Sequence, residues 1–149
     1  MPAVKGWLLL GVLLLGGCGE AASSAKAAQT EFSRVVSDGS RHFNSALERS
    51  TASCAAMSSP ACIADLESAR DAARNWRADV DQAPHPPCLA DVRTVTAGAV
   101  DYYISGVTKW ITGHKALAPG LLEKGSADMQ RGIDGIKTVS TSLSLPICQ

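Results

Sequence analysis

Two stretches of the chain place an apolar or small residue at alternating spacings of three and four without a miss. The first is Leu89, Val92, Thr96, Ala99, Tyr103, Gly106, Trp110, Gly113 and Leu117; the second is Leu122, Gly125, Met129, Gly132, Ile136, Val139 and Leu143. Side chains of a strand change face at every residue, so only a helix keeps such rows on one side. The regular alternation is heptad-like and describes a seam for close helix pairing. It predicts helices over 87–117 and 120–145. The β-branched run 92–100 would suit a strand, but its polar residues do not alternate and the seam passes through it unbroken. Glycines recur on both seams, at Gly106 and Gly113 and at Gly125 and Gly132. Each costs about 1 kcal/mol in a helix interior. Close approach of two backbones would offset that cost, so these two helices are expected to pack tightly along the glycines.

Two further helices are expected before them. Over 26–57 the row Ala28, Phe32, Val36, Gly39, Phe43 and Leu47 marks an apolar face, weakened in the middle by Gly39 and nearby serines, where a kink or break can arise. Ser58-Ser59-Pro60 stops that segment and opens the next, because serine caps a helix and proline suits its first turn. Over 60–82 the row is Ile63, Leu66, Ala69, Ala73, Trp76 and Val80, with a charged face on which Glu67–Arg70 and Asp71–Arg74 are spaced to pair. Pro84-His85-Pro86-Pro87 ends the second helix, and Ala118-Pro119-Gly120 turns between the third and fourth. Connections this short join antiparallel neighbours. Four amphipathic helices bury their stripes best as a bundle. The chain has only seven aromatic residues and abundant alanine, which suits closely packed helices. The expected fold is all-α: an antiparallel up-down-up-down four-helix bundle in a single domain, 26–149.

The amino terminus is of another kind. Lys5 is the only charge before residue 18, and the run Gly6-Trp7-Leu8-Leu9-Leu10-Gly11-Val12-Leu13-Leu14-Leu15 follows it. About ten apolar residues are too few for a spanning helix, which needs about twenty. A short apolar core behind one basic residue reads as a signal peptide. It ends in Leu15-Gly16-Gly17-Cys18, which resembles the lipobox of bacterial lipoproteins. The resemblance covers these residues alone. It implies cleavage before Cys18, lipid on that cysteine and a membrane partner through the lipid. The location would be extracytoplasmic: the outer membrane in a Gram-negative cell, where Gly19 is not the aspartate of inner-membrane retention, or the outer face of the membrane in a Gram-positive one. Residues 18–25, small and polar, are expected to form a flexible tether.

Of five cysteines, lipid on Cys18 leaves four, and four can pair in three ways. In an up-down-up-down bundle Cys54 and Cys62 flank the first turn at one end. Cys88 opens the third helix and Cys148 follows the fourth, both at the opposite end. The other pairings would have to span the bundle, against a limit of about 7 Å between bonded Cα atoms. Cys54–Cys62 and Cys88–Cys148 are therefore expected, the latter at the end where the tether enters.

Little in the sequence points to catalysis. His42, His85 and His114 lie far apart and outside any zincin or haem-attachment motif, and there is no C-x-x-C, phosphate loop or dinucleotide fingerprint. Ser33 and Ser37 lack a nucleophile-elbow context. No metal, cofactor or catalytic residue is expected. Without the signal peptide the chain carries 13 Lys+Arg against 14 Asp+Glu, a balance that gives no basic face for nucleic acid. Asp101, beside Tyr102 and Tyr103, interrupts a weakly charged helix and reads as an exposed acid. Tyr103, Gly106 and Trp110 share a helix face, and two rings beside a glycine notch make a candidate ligand face, or core against a neighbouring helix. Three function classes follow: a non-enzymatic module binding another envelope protein or a cell-wall component, a small-molecule or lipid carrier with a cavity between helices, and an envelope enzyme of unrecognised type.

Overall fold

In the computed structural model the described residues are 17–54, 59–84, 86–144 and 147–148, with the backbone alone for 17–21. Residues 1–16, which include Leu15 and Gly16 of the lipobox-like run, lie outside them, as do Met57, Ser58, His85 and Leu145. Helix α1 (Gly17–Ser53), α2 (Pro60–Gln82), a 3-10 turn (Pro87–Leu89), α3 (Ala90–Lys115) and α4 (Pro119–Ser142) follow in order. Together they form an antiparallel up-down-up-down bundle, with no strand among the described residues.

The helix boundaries follow from local chemistry. The Ser59 hydroxyl accepts from the Cys62 amide at 3.1 Å, and Pro60 and Pro119 sit in the first turns of α2 and α4. Proline there gives up an amide that has no partner within the helix anyway. At the end of α3 the Ala118 amide donates to the Gly113 carbonyl (2.8 Å) and the Leu117 amide to the His114 carbonyl (3.3 Å). These are the two bonds of a Schellman stop. The residue at its turning point is Leu117, with φ 52°. The last member of the α3 seam thus lies beyond the helix, 86% exposed, and not on the packed face. Pro86 and Pro87 lack amide donors, so the third helical segment opens with a 3-10 turn before α3 proper.

Helix α1 differs from expectation in two respects. It runs through Gly39 unbroken, and it is helical from Gly17, so the backbone of 18–25 continues α1 where a flexible tether was expected. Alanine and glutamate in this stretch are good helix formers. Ala22, Ser23 and Ser24 are exposed on these first turns, and packing begins at Ala25.

Packing follows chain order. Each helix lies against the next, whereas α1 and α4 scarcely touch. The closest pair is α3 with α4, because glycines remove the side chains that would separate them. A Cβ on Gly106 would stand 2.5 Å from the Met129 amide nitrogen, and one on Gly132 2.7 Å from both the Ala99 carbonyl oxygen and the Tyr103 nitrogen. Between α1, α2 and α3 the core centres on Phe43. Its ring stands T-shaped to that of Tyr103, centroids 4.4 Å apart, and its centroid lies 6.0 Å from that of Trp76. Phe32, Val36, Leu66, Val80, Val100 and Val107 extend this core along the bundle. Buried Thr96 directs its hydroxyl to the Val92 carbonyl at 2.7 Å, which satisfies it within its own helix. The Gln29 side chain accepts from the amides of Ile147 (3.1 Å) and Cys148 (2.8 Å), joining α1 to the carboxy-terminal segment.

Candidate functional site

The four cysteines beyond Cys18 join as Cys54–Cys62 and Cys88–Cys148, with Cα separations of 4.6 and 5.5 Å. These are the pairs that the topology selects. Cys62 and Cys148 are buried, so both bridges belong to the packed ends of the bundle. Cys18 falls in the first turn of α1, where the backbone alone is described.

The face of Tyr103, Gly106 and Trp110 is turned into the bundle. Tyr103 is fully buried and Gly106 lies against the α4 backbone. Burial pushes the Tyr103 phenol up to about 12, and its oxygen has no hydrogen-bond partner. Trp110 is half-buried and stacks on His114, ring centroids 5.5 Å apart and planes within 4°. These three residues therefore do not line a common opening.

The other residues singled out in the sequence lie apart from one another. Asp101 is exposed and accepts from Arg77 Nε at 3.1 Å. Arg77 also pairs with Asp81, and these two carboxylates hold its guanidinium above the ordinary arginine range. The pair Asp71–Arg74 forms at 3.3 Å, but Glu67–Arg70 does not: Glu67 reaches across to Lys115 of α3 at 3.7 Å, and Arg70 turns to Asp71. A spacing of three allows a pair on one helix, and the neighbouring helix supplied a competing cation. His42 is exposed on α1, and His114 sits in the last turn of α3. No three His, Cys, Asp or Glu side chains converge as a metal site among the described residues. Nor is any helix among them long and apolar enough to cross a membrane.

A concavity lies elsewhere, between α1 and α2, with a volume of about 700 Å³. Its floor is Gly39 and Trp76. A Cβ on residue 39 would overlap the pyrrole edge of the Trp76 indole, so glycine there lets the ring lie directly on the α1 backbone. Trp76 is 2% exposed, and its Nε1 has no hydrogen-bond partner. One wall carries Asp38, His42, Ser45 and Arg49, spaced four, three and four along α1; the other carries Asn75, Asp79 and Gln82, spaced four and three along α2. Arg34 is held at the rim between Glu31 (2.6 Å) and Asp38 (3.1 Å), and its hydrogen bonds keep the Glu31 carboxyl below the usual range. Arg49 donates to Ser45 Oγ at 3.0 Å. Neither this groove nor the strained Leu117 is visible in the seams. A glycine opposite a tryptophan becomes a signal only once the register of α1 on α2 is known.

The chain matches no protein-family model, no curated protein and no solved structure.

Proposed function

We propose that this chain is a lipid-anchored lipoprotein of the bacterial cell envelope, and that its bundle is a non-enzymatic binding module held at a membrane surface through Cys18. The observation that carries the reading is the cysteine inventory. Cys54, Cys62, Cys88 and Cys148 are consumed in two bridges. Cys18 is then left without a partner in its own chain, directly after the apolar run and the lipobox-like Leu15-Gly16-Gly17. Disulfides persist in exported proteins, where an odd free thiol is a liability. Acylation removes it, and two or more acyl chains anchor a protein stably. On this reading the Cys88–Cys148 end lies toward the lipid and the Cys54–Cys62 end points away from it. The carrier reading gains no support at Tyr103 and Gly106, where the interior is filled.

The test is mass spectrometry of the protein extracted from membranes with detergent. The expected result is an amino-terminal Cys18 carrying at least a diacyl adduct, and a Cys18→Ala variant that moves to the soluble fraction. An unmodified Cys18 thiol on membrane-extracted protein overturns the anchor. The binding module is checked separately, by native pull-down of the same material with partners identified by mass.

A further inference from the structure

We infer that the end of the bundle farthest from Cys18 docks on an anionic lipid surface, with Leu117 as the inserting side chain. The inference rests on the binding-module reading, whose partner it names, and is independent of lipid at Cys18. Three observations carry it.

The first is the leucine itself. Leu117 has φ 52° and is 86% exposed. A left-handed conformation and apolar surface in water both cost free energy, and the bundle recovers neither cost. Glycine would complete the same helix stop without strain, so the leucine points to a role outside the fold. The other exposed large apolar residues described, Val95 and Tyr102, lie along the shaft of α3 and are only 50% and 41% exposed.

The second is the setting. Lys115 reaches Glu67 near the start of α2, so Leu117 lies at the Cys54–Cys62 end. Residues 116–122 read Ala-Leu-Ala-Pro-Gly-Leu-Leu, and Ala116, Pro119 and Gly120 are exposed beside the leucine. These neighbours are small, which leaves Leu117 projecting from a convex apex. The amides of Ala116, Leu117, Ala118, Leu121 and Leu122 all donate to carbonyls of the turn and the adjoining helix, and Pro119 has none to offer. The apex thus brings few unpaired donors to an apolar medium, where each is costly.

The third is charge. No Asp or Glu occurs between Asp101 and Glu123, whereas His114 and Lys115 precede the apex. Residues 50–64, which join α1 to α2 at the same end, include no charged residue. Lys115 is 64% exposed, and its 3.7 Å pair with Glu67 is a weak surface one. Its long stem can carry the ammonium to headgroup phosphates while Leu117 enters the acyl boundary. A second copy fits less well: a projecting leucine needs an apolar recess, and the walls of the α1–α2 concavity are polar and charged. A fluid interface needs no matched recess. Lipid on Cys18 would lie at the far end of α1, whose 37 residues span about 55 Å. The surface that Leu117 meets is therefore one apposed to the anchoring membrane.

The experiment is flotation of the mature chain, 18–149, carrying Cys18→Ala. The probes are vesicles of equal parts phosphatidylglycerol and phosphatidylethanolamine, with phosphatidylcholine vesicles in parallel. The expected result is saturable binding to the anionic vesicles and weaker binding to phosphatidylcholine. Leu117→Gly should lose at least about tenfold in affinity, the scale of burying one leucine. That variant relieves the strain, so its loss of binding should come with an equal or higher melting temperature. No flotation, equal binding by the parent and Leu117→Gly, or equal affinity for the two lipids each overturns the proposal. Self-association that Leu117→Gly abolishes, without flotation, overturns it in favour of a second copy. No lipid is attached to this chain, so the result is read apart from the Cys18 anchor, which the mass of the wild-type protein reports.

Discussion

Leu117 occupies a backbone conformation that costs an L side chain roughly 1–2 kcal/mol, and it sits there with its side chain 86% exposed. Burial returns little at that position. Leu117→Gly should therefore raise stability by up to about 1 kcal/mol in a urea titration, the usual advantage of glycine at the turning point of a helix stop. Tyr103 is the opposite kind of residue, a buried phenol whose ring is well packed and whose oxygen has no partner. Its raised pKa of about 12 makes a statement about alkaline stability. Below about pH 10 the phenol is neutral in both states, and its contribution is fully present. Between about 10 and 12 the unfolded chain loses the proton and the folded one keeps it, so stability falls across that window. Tyr103→Phe should match or exceed the parent at pH 8, because no hydrogen bond is lost, and should show a shallower decline toward pH 12.

At the level of elements the informative contrast is between glycines. Gly106 and Gly132 face α4 and α3 backbone at 2.5–2.7 Å from a would-be Cβ, whereas Gly98 on the same α3 faces open space. Gly132→Ala should cost roughly 2–4 kcal/mol, because two rigid helices must separate along their whole contact. Gly98→Ala should gain up to about 1 kcal/mol from helix propensity alone. Equal effects in thermal melts would mean that the α3–α4 seam is looser than described. The seam itself was legible, since an unbroken three–four alternation has no other regular structure to belong to. Ion pairing was not: Glu67 had two cations within reach, Arg70 on its own helix and Lys115 on α3, and the neighbour prevailed.

The bundle as a whole is closed at both ends by disulfides, one joining residues 8 apart and the other residues 60 apart. In the chain-entropy picture the longer loop restricts the unfolded chain more, about 4 kcal/mol against about 2.5. Replacing Cys88 and Cys148 by alanine should thus lower stability more than replacing Cys54 and Cys62, as read by denaturant midpoints with the m-value held constant. The reverse order would show that local order near the first turn matters more than loop length. The Cys88–Cys148 bridge also restrains the end of α4, and Gln29 meets the amides beside it from α1. That end is therefore tied across the gap left where α1 and α4 fail to pack along their lengths.

Periodicity and chain geometry were enough for four helices, their turns at Ser59-Pro60, Pro86-Pro87 and Pro119, and a disulfide pairing that follows from an up-down-up-down order. These are local rules, or simple consequences of length, and one chain is enough to read them. Which side chains meet across helices was set by the packing. It buried the Tyr103–Gly106 face under α4 and α1, set Trp76 onto Gly39 with its N–H unpaired, and left Leu117 outside the seam that the spacing had assigned to it. Such contacts depend on the rotation and register of one helix against another. Those are set by the summed packing of whole faces, and no single row of residues carries that sum.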